Sequence, residues 1–417
     1  MDLYASNDVQ TEYIDPVSFV PNSRCAFNLL GDKLAYLSNL RLIDLGLTST
    51  GGATYSRGLG TLACIKNIRL MDARQELGAL RNPAQYLFFK NSQRTNATNK
   101  SNDSYLKRNN LGLEISAITG TLQHIYTPGE ATADPATTNL GYLDLREVFP
   151  ILNVIPALPT SMFPNLRVEI EFESTPARQV TASTVDDITI IRPVLCADFT
   201  SNADMVGQAM DTVMKNGLSW MEVETDNFLL PAVNTVAYDN AQETRVGGNF
   251  QSMAFRGKLL ERLLVCKQFV NLAKEQNGNA VEGYGGVASS QALLAQNTQY
   301  RLNGRNVFSG AGVTRPNEAL GVLSDEWGTT SGFQGSNLCK WTNLDEVVTF
   351  INFGGQQSWD AVRIGARVAE LQVQISRITN QDTSIRNSTN AAMTINLYGE
   401  IRKALTVSAS GYDIIYA

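Results

Sequence analysis

At 417 residues, with 43% hydrophobic and only 18% charged side chains, the chain can fill more than one core, and a prior of roughly 100–200 residues per domain reads it as two. A formal net charge of −6, from 34 Lys and Arg against 40 Asp and Glu, argues against a protein that neutralises nucleic acid by itself, because phosphate binding is carried by Lys and Arg. The surface left over is rich in Asn, Gln, Ser and Thr, which suits extensive contacts with neighbours, since burying an amide or hydroxyl costs less than burying a charge.

Residues 1–24 read as an N-terminal arm. The start has no basic stretch followed by an apolar core, so no secretory signal is expected, and Met1 to Asp15 holds few core-forming side chains. A first β domain is expected over 25–200. Two strand-like segments, Leu34 to Leu47 and Thr61 to Met71, flank a Gly- and Ser-containing turn. Asp72 to Arg81 (DARQELGALR) places Leu77 and Leu80 three apart, which predicts a short helix stopped by Asn82-Pro83, with a second turn through Tyr86 and Phe89. Asn91 to Asn110 is a polar tract expected as a rim loop; its sequons at Asn96, Asn99 and Asn102, like that at Asn387, are read as polar loop sequence. Strand signals return at Leu111 to Ile118 and Leu122 to Tyr126.

The most informative stretch is Leu143 to Glu173. Pro150, Pro156, Pro159 and Pro164 each fix φ and remove a donor, so Phe149 to Phe163 is expected as an ordered, partly buried crossover and not as a regular helix or central strand. After it, Leu166, Val168, Ile170 and Phe172 alternate with Arg167, Glu169, Glu171 and Glu173, the period of a strand with one wet face. Ile188 to Phe199 closes the first half. A linker helix is expected within 201–217 over Ala203 to Asn216, capped by Asn202, ended by Gly217, with Val206, Met210, Val213 and Met214 on its apolar face.

A second β domain, 218–417, repeats this grammar. Strands are expected at Leu218 to Leu230 and within Met253 to Phe269, with a Gly-rich loop around Gly278 to Gly286. Tyr300 to Phe308 carries an Asn-Gly turn, and NEALGVLSDEW is helical in pattern; its Leu320-Gly321-Val322-Leu323 parallels Leu77-Gly78-Ala79-Leu80. Leu371, Val373 and Ile375 alternate with polar residues, as do Ile395, Leu397, Gly399 and Ile401, and LTVSASGYDIIY reads as a hairpin with Ser410-Gly411 at its turn. The fold class expected is all-β, with two tandem sandwiches of shared order joined by short helices.

No residue stands out as catalytic, metal-ligating or cofactor-binding. The five cysteines, Cys25, Cys64, Cys196, Cys266 and Cys339, are scattered without a CxxC spacing and read as buried free thiols. His124 is the single histidine, which rules out a multi-histidine metal site, and it reads as a sheet or interface residue. Gly310 and Gly312 lack the third glycine of a dinucleotide fingerprint and read as loop residues. Asp186-Asp187, Glu169/Glu171/Glu173, Asp325-Glu326 and Asp345-Glu346 supply carboxyl pairs of the kind a glycosidase uses, and Trp220, Trp327, Trp341 and Trp359 could line a sugar platform; solvated rows and core packing are the default for both.

Several blocks together resemble a known family: IKNIRLMDARQELGALRN (Ile65 to Asn82), LDLREVFPIL and FPNLRVEIEFE within Leu143 to Glu173, Tyr300 to Gly328, and Leu371 to Tyr416. In order and spacing they are similar to the double jelly-roll major capsid proteins of polinton-like viruses, virophages and adintoviruses. The resemblance implies two tandem eight-stranded jelly rolls and a non-enzymatic, cofactor-free shell subunit of a double-stranded DNA virus. It implies a homotrimer of pseudo-hexagonal outline that packs against neighbouring capsomers, penton and minor capsid proteins in the virion, with no sequence-specific nucleic acid binding and with membrane contact left open. A β-sandwich carbohydrate-binding protein or glycoside-active enzyme is the alternative, and a minor capsid or spike jelly-roll protein the second alternative.

Overall fold

The structure, a computed structural model, describes residues 9–29, 35–37, 39–49, 54–55, 62, 64–73, 75–83, 86–87, 109–110, 113–115, 122–124, 141–155, 157–174, 180–181, 188–230, 245–269, 296–307, 357–378, 393–408 and 411–416. The first half contributes β1 (Val9–Ile14), β2 (Ser18–Val20), β3 (Arg24–Asn28), β4 (Ala35–Leu37), β5 (Arg41–Leu45), β6 (Ile65–Asp72), β7 (Gln75–Arg81), β8 (Gly141–Asp144), β9 (Ala157–Pro159), β10 (Leu166–Phe172) and β11 (Val194–Thr200). Helix α1 (Ala203–Asn216) leads to β12 (Leu218–Leu230), β13 (Arg245–Ser252), β14 (Leu259–Phe269), β15 (Gln296–Leu302), β16 (Arg305–Asn306), β17 (Gln357–Arg367), β18 (Leu371–Ile378), β19 (Met393–Ser408) and β20 (Gly411–Tyr416).

All these ladders are antiparallel, and each half stacks two main sheets. In the first half, a seven-stranded sheet (Asn109–Asn110, β8, β5, β11, β4, β9, with β1 on β11) faces a five-stranded sheet in the order β2-β3-β10-β6-β7. In the second, β12-β19-β14-β17 with β20 on β19 faces β13-β18-β15-β16. Non-consecutive neighbours such as β3-β10-β6 are the crossovers of a jelly roll and not of a meander. Of the segment read as an arm, Val9–Ile14 pairs with β11 and Ser18–Val20 with β3, so both strands add to the first sandwich.

β10 behaves as its alternation demands. Leu166, Val168, Ile170 and Phe172 are buried in the first core, while Arg167, Glu169 and Glu171 face outward, and the strand lies between β3 and β6. The proline block before it forms two 3-10 turns, Leu145–Glu147 and Pro150–Asn153, then the short edge strand β9 with Pro159 at its end. Phe149, Ile151, Leu152, Ile155 and Phe163 are buried, so the crossover is a plug for the core. Helix α1 spans Ala203–Asn216; Asn202 caps it by accepting from the Asp204 and Met205 amides, and Gly217 ends it. The Asn303-Gly304 turn has positive φ at both residues, the conformation a two-residue hairpin loop needs, and joins β15 to β16.

Three expectations need correction. DARQELGALR does not form a helix: Gln75–Arg81 is β7, hairpinned onto β6. The register shifts where Leu70 opposes Gly78 and Met71 opposes Glu76, so a bulge places an extra residue at Leu77. That extra residue lets Leu77 and Leu80 both point into the core, which reproduces a helical spacing in a strand. On α1, Met214 is 54% exposed; Val206, Met210 and Val213 pack as expected, Met210 partly buried, and Met205 and Ala209 join them. At the last hairpin, Gly411 is already in the ladder opposite Ser408, so the connection falls one position earlier than the expected Ser410-Gly411 turn.

Helix is assigned at Pro83, Tyr86 and Leu87, consistent with the second turn expected there. The second-half helix NEALGVLSDEW, the Gly-rich loop, most of the polar tract after Asn91, Cys339, the glycines Gly310 and Gly312, and the pairs Asp186-Asp187, Asp325-Glu326 and Asp345-Glu346 lie outside the described residues. No helix among the described residues is long and apolar enough to cross a membrane.

Candidate functional site

Where the two sandwiches meet, the chain builds both an apolar seam and a charged cleft. The seam arises because the middle strands of the second half are buried on both faces. On β14, Leu263 and Val265 enter the second core, while Leu264 and Cys266 enter the first. On β19, Ile395, Leu397 and Ile401 enter the second, and Tyr398 enters the first. Tyr398 lies 5.5 Å from Tyr86, centroid to centroid, and its hydroxyl donates to the Asn82 carbonyl at 3.1 Å. Burial moves that phenol well above its ordinary titration range.

The C-terminal strand β20 crosses the same seam. Tyr412 packs edge-on against Phe163 at 5.0 Å, and its hydroxyl donates to buried Asp72 at 2.6 Å. Asp72 also accepts from the Asn165 amide at 2.9 Å, so one carboxylate ties β6, the crossover and the C-terminal strand together.

Beside the seam, the outward face of β2-β3-β10-β6-β7 meets β12 in a cleft of about 850 Å³. Five basic residues (Arg24, Lys66, Arg69, Arg81, Lys403) and five acidic ones (Glu76, Glu169, Glu171, Glu222, Glu224) line it. Such a balanced lining has no net pull on a polyanion. On the β10 wall, Arg69 and Arg167 pair with Glu169 at 2.7 and 2.8 Å. Lys66 pairs with Glu171 at 2.7 Å, and that hydrogen bond, seconded by Asn67 and by the Lys66 and Arg69 charges, holds the Glu171 carboxyl below its ordinary value against a smaller effect of burial. The Glu169/Glu171 row is therefore a ladder matched by cations.

Glu222 is the exception. It is 1% exposed on β12, and Trp220 Nε1 donates to its Oε2 at 2.8 Å. No hydrogen bond of normal geometry reaches Oε1, although the nearby Ala79 amide favours the charged form. Burial pushes this carboxyl up to about 7; the Lys403 charge, the Trp220 bond and the Ala79 amide oppose the shift, and Glu76 adds to it. Gly78 on β7 makes the space: a Cβ there would lie 3.5 Å from both carboxylate oxygens and 3.0 Å from Phe149 Cδ1. Nothing in the residue types around Glu222 marks it in the sequence, because its environment is assembled from β7, β12 and β19.

The other sequence candidates are not brought to this cleft as a chemical set. Trp220 is buried with its indole committed to Glu222, so it presents no face to a sugar. The side chains of Trp359 and His124 lie outside the described residues, as do Trp327 and Trp341; the backbone of His124 pairs with Leu113. Cys25, Cys64, Cys196 and Cys266 are buried free thiols, as expected; burial pushes Cys25 up to about 12 and raises Cys64 and Cys196 as well. No group of three or more His, Cys, Asp or Glu residues able to hold a metal occurs among the described residues.

No protein-family model and no curated protein matches the sequence. Solved structures do match over nearly the whole chain. PBCV-1 VP54, in the structure in which it is fitted into a reconstruction of the virophage Sputnik, superposes with a TM-score of 0.59 at 9% identity, covering 99% of this chain and 98% of that one. The cryo-EM structure of the Sputnik virophage gives 0.55 at 13% identity over 98% and 88%. The mavirus major capsid protein gives 0.52 at 10% identity over 99% and 90%. At such low identities these likenesses establish the fold, and the fold is the double jelly roll expected from the sequence.

Proposed function

We propose that this chain is the major capsid protein of a double-stranded DNA virus, a structural and non-enzymatic subunit of the virion shell. The observation that carries the reading is the superposition of 99% of the chain on 90% of the mavirus major capsid protein. The architecture supports it physically. Apolar packing through β14 and β19, together with the Asp72–Tyr412 bond, holds the two sandwiches as one unit, and a shell tile must carry load between neighbours without flexing. In this reading the chain divides into an N-terminal segment (1–24) whose strands add to the first sandwich, a first jelly roll (25–200), a linker helix (201–217) and a second jelly roll (218–417). Three copies of two similar domains present six near-equivalent edges, so the assembling unit is a homotrimer of hexagonal outline that meets neighbouring capsomers, penton and minor capsid proteins.

Light scattering on the purified full chain, with negative-stain images of the same peak, tests this. The expected result is a mass three times the 45.6 kDa of the chain, with hexagonal outlines. A stable monomer that binds or cleaves glycans on an array would overturn it in favour of a sugar-binding sandwich.

A further inference from the structure

The buried carboxyl of Glu222 has no part in the shell reading, and its position is peculiar. It sits on β12, the first strand of the second sandwich, against Gly78 and Ala79 of β7, an edge strand of the first. The groups that face it come from every element around it. β7 brings Glu76 and β19 brings Lys403, while the 3-10 turn Pro150–Asn153 brings no charge. β12 itself adds Glu224, ion-paired to Lys258, and β20 adds Tyr416, whose ring lies under the Lys258 and Lys403 ammonium groups at 4.4 and 5.5 Å. Among the described residues no cation lies within ion-pair distance of Glu222, and Oε1 has only the nearby Ala79 amide, which makes no hydrogen bond of normal geometry to it. An ionised carboxylate there is buried with one full hydrogen bond and no ion pair; a neutral carboxyl suits the site. The least disruptive relief for the ionised form is to part β7 from β12 and admit water from the adjoining cleft.

We propose that Glu222 is a proton-controlled latch between the two sandwiches, closing the β7–β12 seam when neutral and loosening it when ionised. The direction follows from linkage: the closed seam holds a proton that the opened seam releases, so closure is favoured at acidic pH and weakens as pH rises. A subunit carrying this latch is stiffer in a mildly acidic compartment than in a neutral one. The inference concerns the single chain and stands apart from the shell reading.

Hydrogen exchange of the full-length protein between pH 5 and 8.5, corrected for the intrinsic chemical rate, tests it on peptides covering Gln75–Arg81 and Leu218–Leu230. In the wild type the opening constant of these segments is expected to rise up to about tenfold per pH unit between about pH 5 and 7 and then level off. Glu222→Gln is expected to flatten the profile. Glu171→Gln, on the exposed wall of the same cleft, is expected to leave it as in the wild type. A flat wild-type profile, or a Glu222→Gln profile that still rises, overturns the proposal; if the glutamine variant does not fold, the wild-type profile decides alone.

Discussion

β10 and β19 share one sequence pattern and lead opposite lives. Both alternate apolar with polar side chains. On β10 the polar set, Arg167, Glu169 and Glu171, faces outward, and its carboxylates are paired with Lys66 and Arg69. On β19 the alternate set, Asn396, Tyr398 and Glu400, is buried between the two sandwiches. The difference teaches that period-2 alternation reports which side chains share a face and not whether that face is wet. An antiparallel sheet with one covered face is the default reading, and β19 departs from it because a second sandwich lies on its outer side.

Substitutions at matched positions sharpen the contrast. Tyr398→Ala removes a fully buried ring from the seam and leaves a cavity, with an expected loss of about 4 kcal/mol in urea unfolding. An effect below about 1 kcal/mol would mean that the seam is not packed as described. Glu400→Gln comes next. Glu400 is buried and accepts from Arg262 Nε at 2.7 Å, so removing its charge weakens a largely buried ion pair, at a cost of about 2 kcal/mol by the same assay. Glu171→Gln is the smallest. Its partner Lys66 is 44% exposed, and the loss is expected to stay below about 0.5 kcal/mol and to shrink further in high salt. What that pair contributes is present at neutral pH and fades as pH falls below the ordinary carboxylate range, because the folded-state shift of Glu171 is downward. Equal losses for Glu400→Gln and Glu171→Gln would erase the distinction between the two strands.

Glu222 and Glu171 extend the comparison to titration. Both line one cleft, yet one is shifted upward by burial and the other downward by a lysine. Their stabilities must therefore run in opposite directions with pH, the contribution of Glu222 being lost as pH rises and that of Glu171 as pH falls.

Much of the fold was legible in the sequence because it is encoded locally. The alternation of Leu166 to Phe172, the φ restraints of the proline block, the Asn202 cap with Gly217 at the other end of α1, and the Asn303-Gly304 turn each express a preference of a few neighbouring residues, and each appears where expected. The largest failure of sequence reasoning came where a neighbouring strand had intervened. The Leu77 to Leu80 spacing looked helical because a bulge against β6 shifts the register, and a bulge exists only once two strands pair.

The sequence by itself thus determined the all-β class, the two-part order and the faces of most strands, since propensity, turn chemistry and periodicity act over a few residues. The tertiary structure alone decided what covers each face. It made β19 a strand shared by two cores, drew β20 across the seam to Asp72, and sealed Glu222 beneath Gly78 and Trp220. Burial and pairing depend on segments up to hundreds of residues apart in the chain, and no local pattern carries that information.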